Sequence, residues 1–140
     1  MLLFLDPISV TESCPGTTLL RLTSDKREQR LIRSPNYPSE YKSKQNCTWN
    51  LRSPAGTKVT LKVEDFHLEK DYDYLNILDG DNIAANYIDK LTGHIKREYT
   101  AKSSGNAIFL QFTSDNTRTK KGFSIIYDYE GRQLKTRFYK

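Results

Sequence analysis

Lys58-Val59-Thr60-Leu61-Lys62-Val63-Glu64 is the stretch that decides the fold. Val59, Leu61 and Val63 are apolar, and the four residues alternating with them are polar. Successive side chains of a strand point to opposite faces, so this run predicts a β-strand with one buried face. The same period of two recurs along the chain. Cys47, Trp49 and Leu51 alternate with Thr48 and Asn50, and Leu75 and Ile77 share a face within 74–78. Ile108, Leu110 and Phe112 lie opposite Ala107, Phe109 and Gln111, and Phe123, Ile125, Tyr127 and Tyr129 alternate with Ser124, Ile126 and Asp128. Turn chemistry separates these runs at 53–56, 79–82, 103–106 and 114–117, where Ser, Asp, Asn, Gly and Pro cluster. Short strands so punctuated predict an all-β fold, an antiparallel β-sandwich. Residues 84–90 carry a weak helical pattern and are expected as loop.

A length of 140 residues suits one domain. Leu, Ile, Val and Phe make up about 24% of the chain, above the ~20% below which disorder is the better expectation. The longest apolar run is Met1-Leu2-Leu3-Phe4-Leu5, closed by Asp6-Pro7. It is too short to span a bilayer and lacks the positive start of a complete signal peptide, so it reads as a trimmed end. Coiled-coil and collagen repeats are excluded. The expected division is an N-terminal extension (1–13), one domain (14–129) and a basic tail (130–140).

The net charge is +5 and the isoelectric point near 9.2. A positive balance favours anionic partners in general. The cations are dispersed over 26–33, Lys42 and Lys44, 118–121 and the tail, the pattern of a solvated surface. The tyrosines stand mostly beside acids rather than in a basic stripe, which argues against nucleic acid. Catalytic and zinc motifs are missing. The two histidines, His67 in a strand pattern and His94 in a loop, belong to no Gly-x-Ser-x-Gly or His-Glu-x-x-His arrangement, and no enzyme is expected.

Two features stay open on the residues alone. Cys14 and Cys47 form one disulfide in a secreted protein and remain two thiols in a cytosolic one. Glu69-Lys70-Asp71-Tyr72-Asp73 puts three carboxylates into five residues between strand patterns, and Asp115 sits in a turn that can reach the same end. Glu69, Asp73 and Asp115 together suit Ca²⁺, which takes hard oxygen ligands; the alternative is a set of exposed acidic turns. Asn46-Cys47-Thr48 is an N-glycosylation sequon.

Ser34-Pro35-Asn36-Tyr37-Pro38-Ser39-Glu40-Tyr41 followed by Cys47-Thr48-Trp49-Asn50-Leu51 resembles the opening of an extracellular CUB domain. Tyr72-Asp73-Tyr74-Leu75-Asn76-Ile77-Leu78-Asp79-Gly80 is similar to that family's central segment. Phe112-Thr113-Ser114-Asp115 and Lys121-Gly122-Phe123-Ser124-Ile125-Ile126-Tyr127 resemble its closing strands. The resemblance implies a CUB-like jelly-roll sandwich, a Cys14–Cys47 disulfide and a secreted, non-enzymatic protein-binding module. It implies Ca²⁺ held by Glu69, Asp73 and Asp115 and supported by Tyr41, with Tyr41, Glu69 and Asp73 as the partner-binding surface for a Lys or Arg of an extracellular protein. Lys70 and Ile88 stand where most members carry a second cysteine pair, making this a two-cysteine variant. The Glu69–Asp73 hairpin is short for the family, and Arg118 occupies a turn that often completes the metal shell. Two rival readings stand beside this one. Lys42, Lys44, Arg118, Lys120 and Lys121 could serve a sulfated glycan, or the domain could position substrate for an attached protease.

Overall fold

The computed structural model describes residue 14, residues 16–24 and residues 30–132. The expected extension 1–13, the cations at 26 and 27, and the tail from 133 onward lie outside the described residues. Nine strands follow in chain order: β1 (Thr17–Arg21), β2 (Leu31–Arg33), β3 (Asn46–Arg52), β4 (Lys58–His67), β5 (Tyr74–Asp79), β6 (Asn86–Leu91), β7 (Tyr99–Lys102), β8 (Ala107–Thr113) and β9 (Gly122–Glu130). No helix occurs among the described residues.

The strands form a five-stranded sheet, β1-β3-β8-β5-β6, and a four-stranded sheet, β2-β9-β4-β7. Alternation sets which faces meet. Val59, Leu61, Val63 and Phe66 of β4 point inward with Phe123 and Ile125 of β9, against Leu51, Leu75, Ile77, Ile108, Leu110 and Phe112 of the larger sheet. Phe112 packs edge-on against Tyr41 at 5.1 Å and against Phe123 at 5.3 Å. Each such buried side chain contributes about 1.5–3 kcal/mol relative to exposure. The expected sandwich is present.

Three local features differ from the expectation. Residues 86–91 pair with β5 as an edge strand instead of a loop. β1 runs parallel to β3, in register Thr17↔Thr48 to Arg21↔Arg52, the exception in otherwise antiparallel sheets. The implied disulfide orients it: Cys14, just ahead of β1, is bonded to Cys47, the second residue of β3, with Cα atoms 5.2 Å apart. Closing that 33-residue separation stabilises by roughly 3–4 kcal/mol in the chain-entropy model. Finally, β9 runs through Glu130, which pairs with Lys58, one residue past the expected boundary.

One glycine fixes the end of the sandwich that matters below. Gly122 has φ +98, and a Cβ there would lie 1.9 Å from Ser34 Oγ. That close approach lets Ser34 Oγ accept from the Phe123 amide at 2.9 Å, docking the 34–41 loop and Tyr41 onto β9.

Candidate metal and partner site

β5 and β8 are neighbours, with Tyr74 opposite Thr113. Asp73 just before one strand and Asp115 just beyond the other are therefore brought together by sheet register. The Asp115 amide donates to Asp73 Oδ1 at 2.9 Å. Glu69 reaches the same point through a tight turn, in which the Tyr72 and Asp73 amides donate to Glu69 O at 3.3 and 3.0 Å. Asp71 takes the left-handed conformation there, φ 68°, which Asp tolerates better than most residues. Thr92 clamps the turn: its Oγ1 donates to Asp73 O at 2.7 Å and accepts from the Asp71 amide at 2.9 Å.

Tyr41 is the hub. It is 1% exposed; its hydroxyl donates to Asp73 Oδ2 at 2.6 Å and accepts from the Glu69 amide at 3.0 Å. Burial and the Asp73 carboxylate push the Tyr41 hydroxyl well above the ordinary tyrosine range, so it stays a donor. The resemblance implied that Tyr41 and Asp73 touch a partner. Asp73 is fully buried, and both of its oxygens already accept hydrogen bonds. The two residues hold the site from below, and Glu69 and Asp115 are its half-exposed members.

One carboxylate oxygen from each of Glu69, Asp73 and Asp115 lies within 4.8 Å of the others. Burial, then the neighbouring Asp115 and Asp73, push the Glu69 carboxyl above its usual range. Burial also raises Asp73, and the Tyr41 hydroxyl and Asp115 amide only partly offset it. Arg118 sits in the left-handed region at φ 55°, and its charge offsets only a little of the rise at Glu69. None of the described ion pairs joins Arg118 to the triad.

The triad fits a hard divalent cation. Glu69 Oε1 is buried and has no hydrogen-bond partner. Oxygens sharing one ion at Ca²⁺ distances lie up to about 5 Å apart, which matches the observed spread. A dication would satisfy the orphan oxygen and relieve the repulsion that, after burial, raises both carboxyls.

The other expected positions scatter. Asn46 is exposed at the start of β3, where its Oδ1 accepts from Gln111 Nε2 at 3.2 Å. Of the basic residues, Lys121 is held by Asp65, while Arg118 and Lys120 border an open cleft of about 420 Å³ beside Glu69. Thr92 and Tyr72 escaped the sequence reading. Thr92 acts only through contacts across 19–23 residues of chain, which no local pattern records. Tyr72 is 62% exposed beside the triad, and its place between Asp71 and Asp73 was a signal that could have been used.

Two face-to-face sheets with an acidic cluster in the loops at one end define a β-sandwich interaction module. A CUB-domain sequence profile matches residues 22–127, and the chain belongs to the CUB-domain family. It is 37% identical over 109 residues to human Tolloid-like protein 2, covering 74% of this chain and 11% of that protein. It is 39% identical over 102 residues to rat Neuropilin-2, covering 69% and 11%. The chain thus spans about a tenth of the length of these curated relatives. Among solved structures it resembles the full extracellular region of zebrafish Gpr126/Adgrg6, with TM-score 0.70 and 30% identity over 86% of this chain and 15% of that one. It also resembles the MASP-1 CUB2 domain bound to Ca²⁺, with TM-score 0.66 and 25% identity over 81% and 98%.

Proposed function

We propose that this chain is a secreted, non-catalytic protein-binding domain whose Glu69, Asp73 and Asp115 hold Ca²⁺ and present an acidic surface to a Lys or Arg of an extracellular partner. One observation carries the reading: three converging carboxylates, one with a buried unpartnered oxygen, that no described ion pair neutralises. Asp73 is the inner ligand, fixed by Tyr41. Glu69 and Asp115 face outward, where their remaining lone pairs accept charge-assisted bonds from an ammonium or guanidinium. Exposed Tyr72 stands beside them as an aromatic contact of the type enriched in binding hot spots. When bound, the ion supplies the charge that orders these oxygens. Asn46, on an exposed strand end, is the proposed glycan acceptor.

The test is an NMR titration of the domain with a short lysine-containing peptide, with and without millimolar calcium. Shifts at Glu69, Tyr72 and Asp115 are expected only with calcium, and they should vanish in Glu69→Gln. Shifts confined to Lys42, Lys44 and Lys120 on adding heparin oligosaccharide, with none from the peptide, would replace this reading with the sulfated-glycan one.

A further inference from the structure

We propose that the partner segment taken by the acidic triad also carries an Asp or Glu, whose carboxylate is held in the neighbouring cleft by Lys70, Arg118 and Lys120. This rests on the reading of the triad given above and adds the chemistry of the residue beside the Lys or Arg. The cleft has a volume of about 420 Å³. Its walls are the end of β4 with the residues that follow, the Gly93–His94 loop, and the turn that carries Arg118 and Lys120 ahead of β9. Backbone bonds fix its floor: the Leu68 amide donates to Gly93 O at 2.9 Å and the Ile95 amide to Phe66 O at 3.1 Å. A Cβ on Gly93, which has φ +77, would stand 3.5 Å from Lys70 Cγ, so the Lys70 stem lies along the glycine.

Three cations line this cleft against one carboxylate, that of Glu69. None of the described ion pairs engages Lys70, Arg118 or Lys120. Lys120 is half-buried, and its backbone O accepts from the Tyr41 amide at 3.2 Å, which ties this wall to the residue that supports the triad. The stacked rings of His67 and His94 form a further wall, and an imidazole keeps at least one N–H donor in either charge state. Unpaired cations and N–H donors around a concave site suit an oxyanion. Position decides which oxyanion. Glu69 and the exposed Tyr72 line the cleft and also stand at the triad, so the basic and acidic sites lie side by side. A polysulfated chain filling the cleft would run onto Glu69 and Asp115, where like charges repel. A Lys or Arg close in sequence to an Asp or Glu meets opposite charge at both places. A segment with two adjacent cations is disfavoured, because the second meets Arg118 and Lys120.

The test is an amide chemical-shift titration of the folded domain in millimolar calcium at physiological salt. The probes are end-blocked peptides with one Lys and one Asp, the Asp placed next to the Lys or a few positions away on either side, each matched by a peptide with Asn for Asp. At the favoured spacing the Asp peptide is expected to bind about fivefold tighter than its Asn match, moving the Gly93 and Lys120 amides. Arg118→Gln combined with Lys120→Gln should erase that advantage, while Lys120→Arg keeps it. Equal affinity of Asp and Asn peptides at every spacing would overturn the proposal and leave the triad reading standing. An advantage that survives the double variant would overturn it too. No calcium-dependent response to any peptide would remove both readings. Shifts at Gly93 and Lys120 from a heparin tetrasaccharide, with none from the Asp peptides, would give the cleft to sulfate instead.

Discussion

Asp65 and Asp73 are both carboxylates on the same domain, yet their surroundings push them in opposite directions. Burial alone would raise Asp65, but Lys121 and the Tyr37 hydroxyl hold it below the usual range. The hydrogen bond to Asp65, with burial and the Asp65 charge, pushes Tyr37 up to about 12. Asp73 likewise has a tyrosine donor, Tyr41, but burial and the neighbouring Asp115 outweigh it with no cation to offset them, and it is raised. Asp65 is thus a closed structural pair. None of the described ion pairs reaches the triad, and its raised carboxyls mark it as a candidate functional site.

The largest effect that could break this contrast is Asp73→Ala. It strips the partners from the Tyr41 hydroxyl and the Asp115 amide, both inside the fold. A loss of about 2–4 kcal/mol is expected from denaturant unfolding, with or without calcium. Asp73→Asn, which keeps the shape, should cost much less. Tyr41→Phe comes next, at about 1–2 kcal/mol, since it removes a donor to Asp73 and an acceptor for the Glu69 amide together.

Asp65→Asn should cost only about 1 kcal/mol, because its Lys121 partner is half in solvent. Its pH signature is sharper than its size. The folded-state pKa is depressed, so the stability it contributes is present above the unfolded value and lost as pH falls through the folded one. The mutant should therefore show a flatter acid limb of stability against pH. Glu69→Gln should do the reverse of what a structural carboxylate does. Its pKa is raised, so ionising it opposes folding as pH rises through the carboxylate range. Without calcium the mutant should melt no lower than wild type, and calcium should no longer raise its melting temperature. Marked destabilisation of metal-free Glu69→Gln would make the triad a structural cluster.

How far this was legible from sequence depends on where each signal lives. Val59, Leu61 and Val63 declared their face because β4 has one wet and one dry side. β6 did not, because it is an edge strand: of its residues only Leu91 is buried, and its pairing with β5 shifts register after Ile77. The parallel course of β1 was hidden because Leu19 and Leu20 sit side by side and point to opposite faces, while the disulfide that orients the strand is a long-range bond. At the site, Glu69, Asp73 and Asp115 were readable as acids in or beside turns, and their convergence follows from the pairing of β5 with β8. The burial of Asp73 and Tyr41 was not readable. It arises from the loop that Ser34 and Gly122 dock, and it keeps Tyr41 to the supporting role the resemblance implied while removing both residues from the surface.

The central claim is that the triad carries negative charge which a calcium ion relieves. Its most direct test is the melting temperature of the wild-type domain at neutral pH across a calcium titration, with magnesium as the control. Binding in the range typical of extracellular sites, about 10⁻⁴–10⁻³ M, predicts stabilisation of roughly 0.5–1.5 kcal/mol at millimolar calcium. The rise should fade as pH drops through the raised carboxyl values of Glu69 and Asp73, because protonated carboxyls do not ligate. A melting temperature indifferent to calcium, with metal-free protein already at full stability, would contradict the account.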